Sequence, residues 1–380
     1  MRELPRAVRL FQMPLDTIDT VTADAERPRF HPLRIADVRR ETPDAVSIAF
    51  EVPAELSERF RYVPGQYLTL RTTLDGEEVR RTYSIASGLD EGEVRIAVKR
   101  VEGGLFSAFA NERLSAGDIV DVMPPAGRFV LPEASGPRTV VAFAAGSGIT
   151  PIASQMRTVL VREPESRVFL FYGNQTSRSI LFREAIEDLK DRHIDRFSAH
   201  HVLSRETQDV SALNGRIDGE KVAAFMRHVV RLDTVDHFLL CGPAPFLEGC
   251  IDALTALGAD RDAILVERFT APGGRPEASR PEAVPAAERT EVAVTLDGVT
   301  TALRLSPGER ILDAAIAAGL DVPYSCRAGM CCTCRARVTE GEVEMAVNYS
   351  LRPDEIADGF VLTCQSTPRT ARVAVDYDAA

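Results

Sequence analysis

Short runs of alternating hydrophobic and polar residues fill the segment from residue 31 to about residue 133. Turn pairs such as Pro64-Gly65 and Asp75-Gly76 separate these runs. Several short strands at regular spacing are typical of an antiparallel barrel or sandwich, and a barrel leaves a mouth where a planar cofactor can lie. The predicted strands are 33–38, 45–50, 67–70, 94–98 and 118–122.

The pattern changes between residues 134 and 270, where continuous apolar runs replace the alternation. Such runs are typical of strands covered on both faces, and here they alternate with helical stretches. After the first run, Thr150 is predicted as an N-cap and Pro151 as the first helical residue. We therefore predict a parallel sheet that binds ligands at the carboxyl ends of its strands. The predicted strands are 138–145, 168–172, 197–203 and 237–240, with helices at 181–190 and 219–228.

The segment 271–290 has the composition of a linker, with four prolines, two adjacent glycines and no aromatic residue. Beyond it, two alternating runs flank Asp297-Gly298, which is a strong hairpin signal. A helix over 311–318, ended by Gly319, follows in this small β-rich module. The predicted divisions are 1–30 as an N-terminal extension, 31–133, 134–270, 271–290 as the linker and 291–380.

Composition and charge narrow the class of protein. The 380 residues include 45 basic and 56 acidic side chains, and this net charge of −11 argues against nucleic acid or an anionic membrane as a partner. No apolar run approaches the ~18 residues of a membrane span, and the N-terminus lacks the apolar core of a secretory signal. We therefore expect a cytoplasmic protein.

Three of the seven cysteines, Cys326, Cys331 and Cys334, form a C-x4-C-x2-C pattern, and Cys364 follows 30 positions later. Four thiolates at this spacing ligate a plant-type [2Fe–2S] cluster. A zinc site would show two C-x2-C pairs, and a disulfide framework would need a small fold in an oxidising compartment. The pattern favours the cluster. Cys332 lies outside the pattern, and we expect it to be a packed thiol, or one close to the cluster, and not a ligand.

Two weaker motifs lie on the predicted barrel. Arg81-Thr-Tyr-Ser84 alternates a cation, an aromatic face and a hydroxyl, which could pair a diphosphate, stack on an isoalloxazine ring and donate a hydrogen bond to it. Gly103-Gly-Leu-Phe-Ser107 offers backbone N–H groups to a phosphate. Taken singly, the first could belong to any edge strand and the second to any turn.

The parallel-sheet segment carries three further candidates. Gly146-Ser-Gly148 precedes a predicted helix, whose N-terminal N–H groups could bind a pyrophosphate. It does not match the G-x-G-x-x-G fingerprint of dinucleotide-binding folds. Ser204-Arg205 follows a strand and suits a 2′-phosphate, with a surface ion pair between Arg205 and Glu206 as the alternative. Cys241-Gly-Pro243 ends another strand, where its thiol could face the same crevice or be a buried structural cysteine.

Taken in chain order, these motifs resemble the ferredoxin–NADP reductase superfamily with a plant-type ferredoxin domain at the C-terminus, over residues 31–380. Glu267-Arg-Phe269 adds to the resemblance. Within the superfamily the chain is similar to the reductase subunits of phenylacetyl-CoA ring-epoxidase systems. The stretches that carry this closer likeness include Arg80-Arg-Thr-Tyr-Ser-Ile, Tyr172-Gly-Asn, Cys331-Cys-Thr-Cys-Arg-Ala and Gly359-Phe-Val-Leu-Thr-Cys364.

The resemblance implies three domains: an antiparallel flavin-binding β-barrel, a parallel-sheet α/β nucleotide-binding domain and a β-grasp ferredoxin domain. It implies electron transfer from NADPH through FAD and a [2Fe–2S] cluster to a protein acceptor, a multicomponent di-iron oxygenase that epoxidises the ring of phenylacetyl-CoA. The alternatives are another acceptor, such as a different ring hydroxylase or a hybrid-cluster protein, and an iron–sulfur redox sensor. FMN in place of FAD also stays open.

The resemblance assigns site residues by their position in the motifs. Those placed at the reacting ends of flavin and nicotinamide are Ser84, Cys241 and Glu267. Those implied to bind the flavin are Arg81, Tyr83, Ser84, Gly103, Gly104, Ser107 and Phe269. Those implied to bind the nucleotide are Gly146, Gly148, Thr150, Ser204, Arg205, Gly242 and Pro243. The implied metal ligands are Cys326, Cys331, Cys334 and Cys364.

Overall fold

The structure, a computed structural model, describes residues 29–269 and 289–379. Residues 30–269 form one unit, and the described residues from 289 onwards belong to a second. Nearly all of the predicted N-terminal extension and linker lies outside the described residues. The domain boundaries themselves therefore stay predictions.

Six antiparallel strands form the first sheet, in the order β4-β3-β6-β1-β2-β5. An antiparallel bridge between Ile85, directly after β4, and Ile96 in β5 joins the two edge strands, so the sheet closes into the predicted barrel. Helix α1 (Leu105–Glu112) lies between β5 and β6 and was not predicted, since the sequence at its start has the signal of a turn. The strands are β1 (His31–Thr42), β2 (Ala45–Glu51), β3 (Tyr67–Leu74), β4 (Glu77–Ser84), β5 (Val94–Lys99) and β6 (Ile119–Val122).

The second half of this unit is a five-stranded parallel sheet with the order β11-β10-β7-β8-β9. Its first strand, β7, lies in the middle, and successive strands are added first on one side and then on the other. The strand order therefore reverses between β7 and β10, where α/β sheets bind ligands. The strands are β7 (Thr139–Ala145), β8 (Arg167–Asn174), β9 (Phe197–Leu203), β10 (His237–Gly242) and β11 (Ile264–Arg268). The helices are α2 (Ile149–Arg162), α3 (Arg183–Arg192), α4 (Gly219–His228) and α5 (Ala244–Ala256).

The start of α2 differs from the prediction. Gly146–Gly148 forms a short 3-10 turn, and Gly148 is the N-cap of α2, so the prediction of Thr150 as N-cap is wrong. The cause is the left-handed backbone of Gly146 (φ 55°), which begins the turn several residues earlier. Thr150 instead lies in the first helical turn, and its hydroxyl donates to the Ser147 carbonyl at 3.0 Å.

Polar side chains of α2 hold the segment that follows β4, so the barrel and the parallel sheet are tied together. The Ser154 hydroxyl donates to the Ser87 carbonyl at 2.6 Å. Arg162 makes two hydrogen bonds to the Asp90 carboxylate, at 2.9 and 3.1 Å. The same helix that begins at the Gly146–Gly148 turn therefore contacts the barrel just beyond Ser84.

The second unit combines a mixed sheet, with the order β13-β12-β18-β14-β16, and a two-stranded ribbon of β15 and β17. Asp297 (φ 52°) and Gly298 (φ 72°) form the predicted hairpin turn, since both central residues adopt positive φ. The strands are β12 (Thr290–Leu296), β13 (Val299–Leu305), β14 (Arg335–Glu340), β15 (Val343–Met345), β16 (Phe360–Leu362), β17 (Ser366–Pro368) and β18 (Arg372–Asp376). The helices are α6 (Ile311–Ala317) and α7 (Pro353–Ala357). Among the described residues of the whole chain, no helix is long and apolar enough to cross a membrane.

Candidate functional site

The Gly146–Gly148 turn lies against the end of β10, at the reversal point of the parallel sheet. A Cβ atom on Gly148 would lie 2.1 Å from the Cys241 carbonyl oxygen, which is a backbone clash. A Cβ atom on Gly242 would lie 2.6 Å from the Phe246 ring. The backbone contact at Gly148 requires glycine, and it places the Gly146–Gly148 turn against the end of β10, beside Gly242. Pro243 follows as the N-cap of α5.

The predicted 2′-phosphate residues lie directly after β9. The backbone N–H of Ser204 donates to the Asn174 carbonyl at 3.0 Å, and that of Arg205 donates to the Gln175 carbonyl at 2.8 Å. These bonds continue the pairing of β8 and β9 beyond the strands, so both residues stay at the carboxyl edge of the sheet.

The alternative ion pair between Arg205 and Glu206 does not form. Glu206 instead accepts hydrogen bonds from the backbone N–H and the hydroxyl of Ser177, at 2.8 and 2.9 Å. These two bonds lower the pKa of the Glu206 carboxyl. The Arg205 side chain is exposed, and within residues 29–269 and 289–379 it makes no ion pair. Its charge is therefore available to an anionic ligand.

Cys241 and Glu267 are neighbours across the parallel pair β10–β11, in register with each other. The Cys241 side chain is fully buried in the core, as the structural alternative expects, and burial raises the pKa of its thiol. Burial also raises the pKa of the Glu267 carboxyl to about 8. Phe269, two residues further, is exposed. A carboxylic acid that stays neutral at pH 7 thus lies beside the end of β10.

The raised pKa of Glu267 predicts a specific dependence of stability on pH. Between its ordinary value and about pH 8 the folded state holds a proton that the unfolded state releases, so stability falls as pH rises through this window. Glu267→Gln cannot ionise and should lose that part of the slope. We expect its Tm, measured by calorimetry from pH 5 to 9, to exceed the wild-type value by several degrees at pH 8.5 relative to pH 5.

The exposed Glu248→Gln in α5 is the matched control for this measurement, because it removes a carboxylate from the surface of the same sheet domain. Its Tm profile should run parallel to that of the wild type. A parallel profile for Glu267→Gln as well would show that Glu267 is ionised throughout the range.

The predicted flavin residues gather at one end of β4. Ser84 is buried and pairs with Tyr67 across the β3–β4 ladder, while Arg81 is exposed. The Tyr83 ring lies 5.5 Å from the Phe106 ring of α1, with a tilt of 35° between the planes. Burial raises the pKa of the Tyr83 hydroxyl, so it stays neutral. The Tyr83 ring, the Ser84 hydroxyl and the Arg81 guanidinium thus lie on one short segment of β4, as binding of a flavin and its diphosphate requires.

The Gly103-Gly104 turn leads into α1. Gly103 has φ 70°, and a Cβ atom on Gly104 would lie 2.5 Å from the Ser107 hydroxyl oxygen. That hydroxyl donates to the Gly104 carbonyl at 3.1 Å and accepts from the backbone N–H of Val101 at 3.0 Å. Ser107 therefore shapes the turn, and the backbone of the first turn of α1 is the part that suits a phosphate.

The four predicted cluster ligands come from one loop and one strand end. The loop reverses tightly because Arg327, Gly329 and Cys332 all have positive φ, at 54°, 74° and 54°. Backbone N–H groups of Ala328 and Met330 donate to the Cys326 sulfur at 3.3 and 3.4 Å. Such donors stabilise thiolates and the sulfides that they accompany.

The thiols are arranged as two pairs, Cys326 with Cys331 and Cys334 with Cys364. In each pair one thiol donates to the other, which lowers the pKa of Cys326 and of Cys364. No group of three or more ligand side chains in the described parts of the chain converges on one metal position. Each iron of a [2Fe–2S] cluster takes two protein sulfurs, which two thiol pairs can supply. The donor set therefore fits the cluster.

Sequence reasoning missed the contacts that α2 makes with the barrel. Arg157 donates to the Ala86 carbonyl at 3.3 Å and to Glu91 at 3.1 Å, and Thr158 accepts from the Leu89 backbone N–H at 3.2 Å. The available signal was a polar stripe on an otherwise apolar helix.

The comparisons with known proteins identify three domain families in the chain. Residues 32–131 match the oxidoreductase FAD-binding domain family, 143–252 the oxidoreductase NAD-binding domain family, and 294–369 the 2Fe-2S iron-sulfur cluster binding domain family. The chain is 44% identical over 352 residues to one of the subunits of 1,2-phenylacetyl-CoA epoxidase from Escherichia coli (strain K12), covering 92% of this chain and 98% of that protein. The chain belongs to the ferredoxin–NADP reductase superfamily with a C-terminal [2Fe–2S] domain.

Other members of this superfamily are similar over nearly the whole chain. The ferredoxin reductase component of 3-ketosteroid-9-alpha-monooxygenase from Rhodococcus rhodochrous is 33% identical, covering 91% of this chain and 96% of that protein. The solved structure of phthalate dioxygenase reductase superposes with a TM-score of 0.55 at 23% identity, covering 91% of this chain and 98% of that one. The predicted fold class is thus confirmed, and the chain is an NAD(P)H-dependent flavin and iron–sulfur oxidoreductase.

Proposed function

We propose that this reductase passes electrons from NADPH, through FAD and a [2Fe–2S] cluster, to the oxygenase component of a phenylacetyl-CoA ring epoxidase. The 44% identity to the Escherichia coli epoxidase protein, over 98% of its length, carries the proposal. Four of the seven cysteines would be cluster ligands and not disulfide partners, which supports a reducing, cytoplasmic location. The electron acceptor is then a separate protein, a di-iron oxygenase.

The flavin would connect a two-electron donor to a one-electron acceptor, since a flavin takes two electrons from a nicotinamide and releases them one at a time to a [2Fe–2S] centre. The residues of the chain would bind these cofactors and orient them. Arg81 would neutralise the flavin diphosphate, and the Tyr83 ring would cover one face of the isoalloxazine. The buried Ser84 hydroxyl would donate to its polar edge. The four cysteines Cys326, Cys331, Cys334 and Cys364 would hold the cluster.

The nucleotide would be held at the carboxyl edge of the parallel sheet. Backbone N–H groups of the Gly146–Gly148 turn and the start of α2 favour the pyrophosphate. The exposed Arg205, which makes no ion pair with Glu206, supports binding of a 2′-phosphate and hence a preference for NADPH over NADH. The neutral Glu267 carboxyl, beside the buried Cys241, would exclude water from the nicotinamide.

An anaerobic titration of the purified protein with NADPH tests the relay directly. We expect uptake of about three electrons per chain, two by the flavin and one by the cluster, followed by visible absorbance. Restored turnover of isolated epoxidase oxygenase subunits should then identify the acceptor. A cluster that stays oxidised while the flavin bleaches would contradict the relay and favour a redox sensor. Full reduction without restored epoxidation would instead point to a different oxygenase.

A further inference from the structure

Tyr172 in β8 is a fully buried side chain whose hydroxyl the proposed function does not use. Its ring lies in the hydrophobic core between the parallel sheet and helices α2 and α3, with an exposed fraction of 0%. Phenylalanine would fill this volume equally well, because the hydroxyl adds little to packing. Burying a hydroxyl is unfavourable unless it forms a hydrogen bond, so its partner is informative.

The hydroxyl donates to the Gly146 carbonyl oxygen at 2.9 Å. The Asn174 side chain and the Leu181 backbone also interact with it. The Gly146 carbonyl also accepts the backbone N–H of Ile149, the first residue of α2. Two donors from the interior therefore hold the Gly146 carbonyl inward. Burial raises the pKa of the Tyr172 hydroxyl, so it remains a donor throughout the working range of pH.

The direction of one peptide group follows from this contact. No peptide bond in the described chain is cis, so the C=O of Gly146 and the N–H of Ser147, which share one planar trans peptide, point in opposite directions. Holding the carbonyl toward the core turns the N–H of the partly exposed Ser147 away from the core. A peptide N–H aimed outward at the start of a helix is a donor for an anion.

We propose that Tyr172 is a positioning residue for the pyrophosphate of the bound nicotinamide dinucleotide, acting through the Gly146 carbonyl. The inference rests on the proposed role of the Gly146–Gly148 turn and names the side chain that sets its shape. Because NADPH and NADH share the pyrophosphate, the effect of Tyr172 is the same for both. This separates it from Arg205, whose proposed contact exists only with NADPH.

The test is Tyr172→Phe in the full-length protein loaded with FAD and cluster. We expect the Kd values for NADP+ and for NAD+, measured by calorimetry, to rise by the same factor of about three to ten, which is the loss of one hydrogen bond. KM for NADPH should rise by that factor, with kcat within about twofold of wild type. Gly146→Ala, which replaces a residue at φ 55°, should weaken both nucleotides in the same way.

Tyr62→Phe is the matched control. The Tyr62 hydroxyl is also buried, in the same unit, and donates to the Ser87 and Gly88 carbonyls at 3.0 and 3.1 Å, on the barrel side. Its loss should lower Tm about as much as Tyr172→Phe does and leave both Kd values at the wild-type level.

The outcomes separate the inference from the proposed function. Wild-type protein that binds neither dinucleotide would overturn the proposed function. Wild-type binding with unchanged Kd values for Tyr172→Phe would overturn the inference alone. The inference is also wrong if Tyr172→Phe weakens only NADP+, or if Tyr62→Phe weakens both nucleotides to the same extent.

Discussion

Cys334→Ser is expected to remove the visible absorbance and the paramagnetic signal of the [2Fe–2S] cluster and to lower NADPH-dependent reduction of cytochrome c on the order of a hundredfold. Cys334 is buried and pairs with Cys364, and its carbonyl accepts the Thr363 hydroxyl at 2.9 Å. A serine oxygen cannot replace the soft sulfur that this position offers to iron. Reduction of ferricyanide, which takes electrons directly from the flavin, should stay within about twofold of wild type.

Cys332→Ser, in the same loop, is the matched control for this change. Cys332 lies two positions before Cys334, is partly exposed and packs against the hydrophobic core of the second unit. We expect its iron content, absorbance and cytochrome c activity to match wild type. If Cys332→Ser loses the cluster while Cys334→Ser keeps it, the ligand set proposed from the spacing is wrong. Full cytochrome c activity without a cluster would show that electrons leave from the flavin.

Arg205→Ala is expected to raise KM for NADPH by about ten- to a hundredfold and to leave KM for NADH within about twofold. The guanidinium is exposed at the end of β9, and its backbone is tied to Gln175 by the 2.8 Å hydrogen bond. Within the described residues, the Arg205 guanidinium would therefore be unpaired and well positioned to bind a 2′-phosphate. The measurement is steady-state kinetics with both nucleotides and ferricyanide as the acceptor.

Arg192→Ala provides the control for net charge. Arg192 is exposed at the last residue of α3 and pairs with Asp188 at 3.5 Å, at the opposite edge of the sheet. Removing it changes the charge of the domain equally, so KM for NADPH should stay at the wild-type value at constant ionic strength. A rise in KM for NADH equal to that for NADPH in Arg205→Ala would remove the 2′-phosphate role. Equal increases of KM for NADPH in Arg205→Ala and Arg192→Ala would show that Arg205 acts only through the net charge of the domain.

Local patterns were sufficient for most of the architecture. Period-two alternation predicted five of the six barrel strands, and continuous apolar runs predicted four strands of the parallel sheet, because side-chain burial in a strand follows its two faces directly. Asp297-Gly298 predicted its hairpin turn, since few residue pairs adopt two positive φ angles. The cysteine spacing predicted four cluster ligands, and the structure places these cysteines in one loop and at one strand end, as two thiol pairs.

The wrong N-cap prediction, the alternative ion pair that does not form and the missed helix α1 all depend on interactions beyond the local pattern. Thr150 satisfies the preferences of an N-cap, but the backbone of Gly146 begins the turn earlier and gives that position to Gly148. Arg205 and Glu206 are adjacent and opposite in charge, yet the Glu206 carboxylate accepts its hydrogen bond from Ser177, 29 positions away. Helix α1 follows a glycine pair whose local signal is that of a turn.

The sequence by itself determined the class of each domain and the four cysteines that form the thiol pairs, because periodicity, turn chemistry and ligand spacing are properties of neighbouring residues. Only the tertiary structure decided which distant groups meet. Cys241 faces Glu267 through the register of two parallel strands, and Tyr172 reaches Gly146 across 26 positions. Register and packing are set by the whole core, so these contacts have no local signature in the chain.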